Sequence, residues 1–272
     1  MGTVYQVPKA FLYPPHTLAT VAASLRNAGH SVRVSDLVVE ELSPNPAGAD
    51  VVGVFVSYAT LDTDLAFIKH LRKQAPGTLV ALGPAMRFVS DQVLAHAPVD
   101  AVLVGEAEAF FAAALRFLVV EADSPAPRLW TPNDLDASCC DEDGLARDLD
   151  ALPFPAWDLL PCDKYSLLTI MASRGCPDHC AYCPYAVAQG HRFRARSAGS
   201  VLAELAWLDE GFHPARVVFR DPVFAYDRER VRAICEGILE SGLCLHWECE
   251  SRPEHFDSNL LRLMKRAGCQ WV

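Results

Sequence analysis

Two periodicities of apolar side chains alternate along the first 120 residues. Short valine-rich runs bounded by Gly, Pro or Asp are typical of buried strands, whereas apolar spacing of three and four is typical of amphipathic helices. Alternation of this kind builds a parallel sheet that helices cover on both faces. The pattern predicts strands at residues 32–34, 51–57, 78–82 and 99–104, and helices that begin near residues 16, 61, 89 and 106.

A second alternating stretch begins at an apolar run over residues 167–172. Ser197 or Ser200 is the predicted N-cap of the helix that follows, because a hydroxyl can accept a hydrogen bond from the first turn. We predict helices ending at Gly211, Gly242 and Gly268, and strands at 215–220, 243–250 and from 269 onwards. This order is typical of a β/α barrel.

The pattern predicts three parts. Residues 1–120 form a flavodoxin-like (Rossmann-like) parallel sheet domain, and residues 165–272 form the N-terminal half of a (β/α) barrel, truncated at the C-terminus within its fourth strand. Residues 121–164 contain Asp, Pro and Ser without periodicity, so we predict a linker there. We expect that residues beyond Val272 would complete the barrel, and that the 272 residues alone are inactive.

Composition narrows the classes of function. The formal net charge of −10 argues against a nucleic-acid partner, which would require a basic face. No apolar run reaches the ~20 residues that a membrane span needs, and the start of the chain lacks a secretory signal. We therefore expect a cytoplasmic protein. Ten cysteines in such a chain favour metal or thiol chemistry over disulfides.

Three of these cysteines lie in one short loop after the strand at 167–172. Cys176, Cys180 and Cys183 have the spacing C-x-x-x-C-x-x-C. Three thiolates can hold three irons of a 4Fe–4S cluster, which leaves the fourth iron open to a ligand that is not protein. The alternatives are a zinc site with His179 or His191 as a further ligand, or three unrelated thiols. Zinc sites prefer repeated C-x-x-C pairs, and no second pair occurs.

This loop, with the aromatic Tyr182 directly before the third cysteine, resembles the signature of the radical S-adenosylmethionine (SAM) superfamily. The resemblance implies that SAM binds the open iron through its amino and carboxylate groups. An electron from the cluster then cleaves SAM to a 5′-deoxyadenosyl radical. It also implies that Tyr182 packs near the adenine, and that an external reductant such as flavodoxin or ferredoxin supplies electrons.

Polar residues at the ends of the barrel strands are candidates for SAM contacts, because β/α barrels place their active residues there. Asp221 ends the second strand. In the third strand alternation separates an apolar face from a charged one. The charged face ends in Glu250 and Arg252, which suit ribose hydroxyls and a carboxylate. The alternative is a surface salt bridge among Glu248, Glu250 and Arg252.

The first half resembles the cobalamin-binding domain that precedes the radical SAM domain in many two-domain enzymes. The matching segments are Tyr13-Pro14-Pro15, Gly29-His30, Asp50-Val51-Val52-Gly53-Val54 and Val99-Asp100-Ala101-Val102 with Gly105-Glu106. The D-x-H-x-x-G motif is missing, so that loop offers no histidine as the lower cobalt ligand. Ligands bind such sheets at the carboxyl ends of the strands. The candidate cobalamin contacts are Ser57, Thr60, Gly83, Gly105 and Glu106.

These resemblances imply a cobalamin-dependent radical SAM enzyme that methylates an unactivated carbon of a small-molecule or lipid-type substrate. Two alternatives stay open. One is a radical SAM enzyme that cyclises or rearranges its substrate and whose first domain no longer binds cobalamin. The other is a cobalamin or iron–sulfur binding module that does not cleave SAM, whose mark would be a fourth protein ligand to the cluster.

Overall fold

The computed structural model of the chain describes residues 12–40, 46, 48–75, 77–120, 128–130 and 144–272. They divide into two units. The first unit comprises Thr17–Ala156 and Pro177–His191, and the second comprises Trp157–Cys176 and Arg192–Val272 together with residues 12–16. The domain boundaries at residues 120 and 164 stay a prediction. Within the described ranges no helix is both long and apolar enough to cross a membrane.

The first unit contains a four-stranded, fully parallel sheet with the strand order β1-β2-β3-β4. Its strands are β1 (Val51–Phe55), β2 (Thr78–Leu82), β3 (Ala101–Leu103) and β4 (Arg128–Trp130). Its helices are α1 (His16–Asn27, from Thr17 onwards), α2 (Leu61–Arg72), α3 (Met86–His96), α4 (Ala107–Val120) and, from the cysteine loop, α5 (Tyr185–Gln189).

The sheet of the first unit has a core on each face, because successive side chains of a strand point to opposite sides. In β2, Leu79 and Ala81 pack with the α2 and α3 side, where Ile68 is fully buried. Val80 and Leu82 pack on the other side, with Phe110 from α4. Burial on both faces explains why β2 reads as a continuous apolar run.

Three predictions of secondary structure in this unit were wrong. Residues 32–34 form no strand in the described part of the chain. Conversely, β4 lies inside the predicted linker and pairs in parallel with β3. A three-residue strand is too short to show a period of two, so its pairing with a neighbour decides its structure. Helix α3 also begins at Met86, earlier than predicted.

The second unit contains a second parallel sheet with the order β5-β8-β9-β10. The strands of this sheet are β5 (Leu168–Ile170), β8 (Val217–Phe219), β9 (Trp247–Glu248) and β10 (Cys269–Trp271). A separate antiparallel pair consists of β6 (Ser173–Arg174) and β7 (Arg194–Ala195). The helices of this unit are α6 (Ala198–Phe212), α7 (Arg228–Ser241) and α8 (Ser258–Arg266).

Each helix of the second unit begins at a side chain that accepts backbone hydrogen bonds. Ser197 caps α6 by accepting from Ser200 N, as one of the two predicted alternatives required. Asp227 caps α7, and Asp257 caps α8. These caps satisfy amide groups that a helix start leaves without intrahelical partners. The predicted class, mixed α/β with parallel sheets, is confirmed.

Candidate functional site

The cysteine loop leaves the second unit at β6 and returns to it at β7. These strands close its base through the antiparallel pairs Ser173–Ala195 and Arg174–Arg194. Gly175 follows with φ of +76°, a conformation that favours glycine and turns the chain into the loop. Cys176 is buried, at 8% exposure.

The other loop residues belong to the first unit. Cys180 and Cys183 are partly exposed, and none of the three loop cysteines forms a disulfide bond. Tyr182 is 89% exposed. The rings of His179 and His191 stack on each other, with 4.3 Å between their centroids. The sequence therefore places three reduced thiols in one loop.

The chemistry of this donor set fits an iron–sulfur cluster, because thiolates are the ligands that such clusters use. Within the part of the chain that the structure describes, no three His, Cys, Asp or Glu side chains converge closely enough to hold a metal ion. The fit therefore rests on the type and spacing of the thiols in a loop closed at its base. Assignment of the cluster to Cys176, Cys180 and Cys183 stays a prediction.

Asp221, a predicted SAM contact, lies at the base of this loop. Its side chain is 2% exposed and accepts hydrogen bonds from Ala172 N at 2.8 Å and from Ser173 Oγ at 2.5 Å. Burial raises the pKa of the Asp221 carboxyl to about 6, although Arg230 and these donors act in the opposite direction. Both oxygens of Asp221 thus bind the strand that leads into the loop.

Two further buried charges at the loop base were missed from sequence. Arg196 pairs with Glu204 on α6 and also donates from Nη2 to Ser200 Oγ at 2.9 Å. Glu204 is fully buried, and desolvation raises the pKa of its carboxyl. The signal was available, because Glu204 occupies the face of α6 that otherwise buries Val201, Leu205 and Leu208.

The segment predicted as a strand at 243–250 separates its side chains as predicted, although the strand itself, β9, covers only Trp247–Glu248. Leu245, Trp247 and Cys249 are buried, and the indole of Trp247 donates to Ala267 O at 2.8 Å. On the opposite face Glu250 and Arg252 are exposed.

The ion pairs on this charged face differ from the predicted surface alternative. Glu248 binds Arg216 at 2.8 Å, and Arg252 binds Glu254. Each pair uses a partner other than the predicted ones, Arg216 or Glu254, and neither pair includes Glu250. SAM contacts by Glu250 and Arg252 stay a prediction.

The remaining cysteines are distributed between core and surface. Cys235 and Cys269 are buried, whereas Cys244 is exposed, because alternation along its segment places its neighbour Leu245 inside. Cys162 is partly buried and donates to Trp157 O at 3.1 Å. Cys139 and Cys140 lie outside the described residues.

His16 is a partly buried imidazole in the second unit. Its Nδ1 lies 3.2 Å from Thr169 O, and its ring meets Trp157 edge-on at 5.7 Å. Burial and the nearby charge of Arg174 lower the pKa of His16 to about 3. The folded chain therefore keeps this imidazole neutral at pH values where a solvated histidine is protonated.

We expect His16 to make stability depend on pH. Its folded pKa lies below the ordinary 6.5, so its contribution is complete above pH 6.5 and declines as the pH falls from 6.5 towards 3. The slope is at most about 1.4 kcal/mol per pH unit, and partial exposure reduces it. Urea unfolding of His16→Asn across this range should give a flatter profile. His30→Asn, at an exposed histidine, is the control and should leave the slope unchanged.

At the carboxyl edge of the first unit's sheet, the segment after β1 is organised by Asp64. This carboxylate accepts from Ser57 N at 2.9 Å and from Thr60 Oγ1 at 2.8 Å. Between them Tyr58 is 66% exposed, and its ring contacts Phe88 at 5.7 Å. Ser57 and Thr60 therefore flank an exposed aromatic pair, and their contact with cobalamin stays a prediction.

The other predicted cobalamin contacts have structural partners. Gly83 has φ of +128°, and a Cβ there would lie 3.0 Å from Val56 O. Glu106 is buried, accepts from Ala146 N at 2.8 Å, and donates its own N–H to Gly144 O at 2.8 Å. Gly105 and Glu106 thus join the end of β3 to the segment at 144–146, and their contact with cobalamin stays a prediction.

Replacement of Gly105 by alanine should destabilise the chain by about 2–3 kcal/mol. Its φ is +119°, and a Cβ would be forced against the backbone of Gly144, which cannot move aside as a flexible side chain could. Gly29→Ala is the matched control, since Gly29 also has positive φ, +90°, but open space around its Cβ position. It should cost about 1 kcal/mol. Equal shifts in the urea midpoint would contradict the packing argument.

No family model matches the chain. Its sequence is 28% identical over 282 residues to an uncharacterized methyltransferase of Pyrococcus horikoshii, and 28% identical over 296 residues to the hopanoid C-3 methylase of Methylococcus capsulatus. It is 24% identical over 302 residues to the anaerobic magnesium-protoporphyrin IX monomethyl ester cyclase of Synechocystis. The alignments cover 95–97% of this chain but only 53–60% of these relatives, so the chain spans little more than half their length.

Two solved structures share the fold. The radical SAM methyltransferase TsrM from Kitasatospora setae superposes with a TM-score of 0.72 at 17% identity, over 97% of this chain and 56% of TsrM. The cobalamin-dependent SAM radical enzyme OxsB superposes with a TM-score of 0.71 at 16% identity, over 99% of this chain and 42% of OxsB. The expected resemblance is confirmed: the chain has the fold of cobalamin-dependent radical SAM enzymes. Its relatives in sequence are named methyltransferases, methylases and a cyclase.

Proposed function

We propose that this chain forms the cobalamin- and SAM-binding part of a radical SAM enzyme that methylates an unactivated carbon of a small-molecule or lipid-type substrate. The observation that carries the proposal is the loop of three cysteines outside any disulfide, closed at its base by β6 and β7, in a chain with this fold. Named methylases among its relatives support methyl transfer. An external flavodoxin or ferredoxin would supply the electron, in the cytoplasm.

The residues of the chain have separate tasks in this proposal. Cys176, Cys180 and Cys183 would hold a 4Fe–4S cluster, which supplies the electron that cleaves SAM at its open iron. Tyr182, Glu250 and Arg252 are the side chains that we assign to SAM. They are exposed, so they are accessible to a ligand. The protein supplies position and electrostatics, because the cofactors carry the chemistry.

Cobalamin would lie at the carboxyl edge of the first unit's sheet, next to Ser57, Thr60 and Gly83. One observation and one general rule support a cobalamin site at this edge. The edge carries the exposed aromatic pair Tyr58–Phe88, which offers an apolar surface to a corrin ring. Parallel sheets in general bind ligands at the carboxyl ends of their strands.

A second reaction type is favoured by one specific observation. The cyclase of Synechocystis aligns over 97% of this chain. Cyclisation would use the same thiol loop to generate the radical but would not transfer a methyl group from SAM. The two reactions therefore leave different products from SAM. Methylation of an unactivated carbon leaves both S-adenosylhomocysteine and 5′-deoxyadenosine, whereas cyclisation leaves 5′-deoxyadenosine without S-adenosylhomocysteine.

The test is electron paramagnetic resonance of the anaerobically reconstituted, dithionite-reduced chain, with and without SAM. We expect SAM to change the cluster signal, because it would bind an open iron. A signal that ignores SAM would contradict the proposal and favour the binding module. A second measurement tests the cobalamin assignment. The chain is mixed with hydroxocobalamin, free cobalamin is removed by gel filtration, and the absorption spectrum of the protein is recorded. Retained cobalt is expected, and its absence would favour the alternative without cobalamin.

A further inference from the structure

A cluster of buried polar side chains in the second unit surrounds the base of the cysteine loop. We call this cluster the loop clasp, and it comprises Ser173, Arg196, Glu204, Asp221 and Arg230. Each of the five is at most 9% exposed. Charged side chains are seldom buried, because loss of water disfavours the ionised form unless protein partners replace it. The positions of these partners show what the clasp holds.

Arg230 bridges the two sides of the loop base. Its Nη2 donates to Ala172 O at 2.7 Å and its Nε donates to Arg196 O at 2.8 Å. Ala172 directly precedes β6, and Arg196 directly follows β7. The donors of a guanidinium lie in one plane in fixed directions, so this side chain fixes the separation of the two carbonyl groups. One arginine thus links the point where the loop leaves to the point where it returns.

Asp221 holds the outgoing strand from the other direction. It follows β8, the neighbour of β5, and accepts from Ala172 N and Ser173 Oγ. Ala172 therefore has its N–H bound by Asp221 and its carbonyl bound by Arg230 and by Arg196 N, the last at 2.9 Å. Since β6 and β7 have two residues each, their ladder alone would hold the base weakly.

We propose that Arg230 and Asp221 are positioning residues that fix the backbone leading to Cys176, so that the first cluster thiol occupies one place before the cluster assembles. The inference rests on the proposed function, because it takes Cys176 to be an iron ligand. It assigns Asp221 to the loop backbone, in place of the direct SAM contact expected from sequence. Cys176 is buried only three residues beyond Ser173, within reach of this constraint.

The first experiment measures thiol alkylation of the iron-free chain by iodoacetamide, read cysteine by cysteine by mass spectrometry. In wild type, Cys176 should react more slowly than the partly exposed Cys180 and Cys183. Arg230→Gln and Asp221→Ala should accelerate the alkylation of Cys176 about tenfold, because the loop base opens locally. Cys235, fully buried on α7, is the internal control and should stay unreacted.

Two control variants separate positioning from general destabilisation. Asp221→Asn keeps an oxygen for Ala172 N and an amide group for Ser173, so it should behave as wild type. Arg232→Gln removes a partly exposed arginine of the same helix, which pairs with Glu229 and Asp257, and should also leave Cys176 unchanged. If Cys235 reacts in Arg230→Gln, that variant has unfolded, and the alkylation of Cys176 in Arg230→Lys is measured instead. A Cys176 rate in Arg230→Lys above the wild-type rate supports the proposal, and a rate equal to that of wild type overturns it.

The second experiment measures iron content, the cluster's paramagnetic signal and its midpoint potential after anaerobic reconstitution. Arg230→Gln and Asp221→Ala should lose more than half of the bound iron or shift the signal, and Asp221→Asn should restore both. Wild-type iron and signal in both disruptive variants would overturn the inference. Failure of the wild-type chain to bind iron would count against the proposed function instead. The alkylation rates would still show whether the loop clasp fixes the backbone that leads to Cys176.

Discussion

Replacement of Cys176 by alanine is expected to reduce the iron of the reconstituted chain from about four per molecule to near zero. Cys180→Ala and Cys183→Ala should have the same effect, because a cluster held by only two thiolates is poorly retained. Iron and sulfide analysis of the reconstituted chain and its variants measures the change.

Cys162→Ala is the matched control for this prediction. Cys162 is also a free, partly buried thiol, but it donates to Trp157 O, and burial together with Asp163 raises its pKa to about 11. A thiol that resists deprotonation is a poor iron ligand, since the thiolate is the form that binds metal. If Cys162→Ala also loses its iron, the cluster has a fourth protein ligand. That result would support the alternative of a binding module that does not cleave SAM.

Glu204→Leu is expected to lower the free energy of unfolding by about 3–5 kcal/mol, the usual cost of breaking a buried ion pair by removal of one partner. Glu204 is fully buried and pairs with Arg196, which is 8% exposed. The guanidinium left behind cannot lose its proton at any pH of interest. Urea unfolding followed by circular dichroism measures the change.

The opposite replacement, Arg196→Met, should cost less and should depend on pH. Glu204 already has a raised pKa because of desolvation, and Arg196 is the partner that lowers it. Without that partner the folded carboxyl binds a proton more tightly than the unfolded one. The stability of Arg196→Met should therefore rise as the pH falls towards the ordinary glutamate pKa of about 4.3.

The control for both replacements is Glu248→Leu. Glu248 pairs with Arg216 at 2.8 Å, but the two side chains are 19% and 33% exposed. Water stabilises the charge that remains, so the loss should be about 1 kcal/mol or less. Equal losses for Glu204→Leu and Glu248→Leu would show that burial of the clasp pair contributes nothing to stability.

Local patterns identified the elements whose two faces differ in polarity. Helices near residues 16, 61 and 106 were predicted because their apolar residues recur every three or four positions, and the alternation of buried and exposed side chains at residues 245–250 was predicted in the same way. The strand at Arg128–Trp130 was not, because three residues surrounded by Asp, Pro and Ser have no period. Pairing with β3, which is remote in sequence, determines its structure.

The candidate site shows the same limit. The thiols of the cysteine loop were found because their ligand chemistry is encoded in short spacing. Arg230 was not found, because its partners, Ala172 O and Arg196 O, lie 58 and 34 positions away in sequence. Asp221 was placed at the correct strand end, but its orientation towards Ser173 follows from packing between β5 and β8.

The path of the chain between the two units has a consequence for inheritance. The chain passes from one unit to the other after His16, Ala156, Cys176 and His191. Neither unit is therefore encoded by one continuous stretch of gene. The loop segment Pro177–His191 belongs to the same unit as the first parallel sheet. A single recombination event between Val120 and Tyr165 would therefore separate the cysteines of this loop from strands β1 to β3 of that sheet.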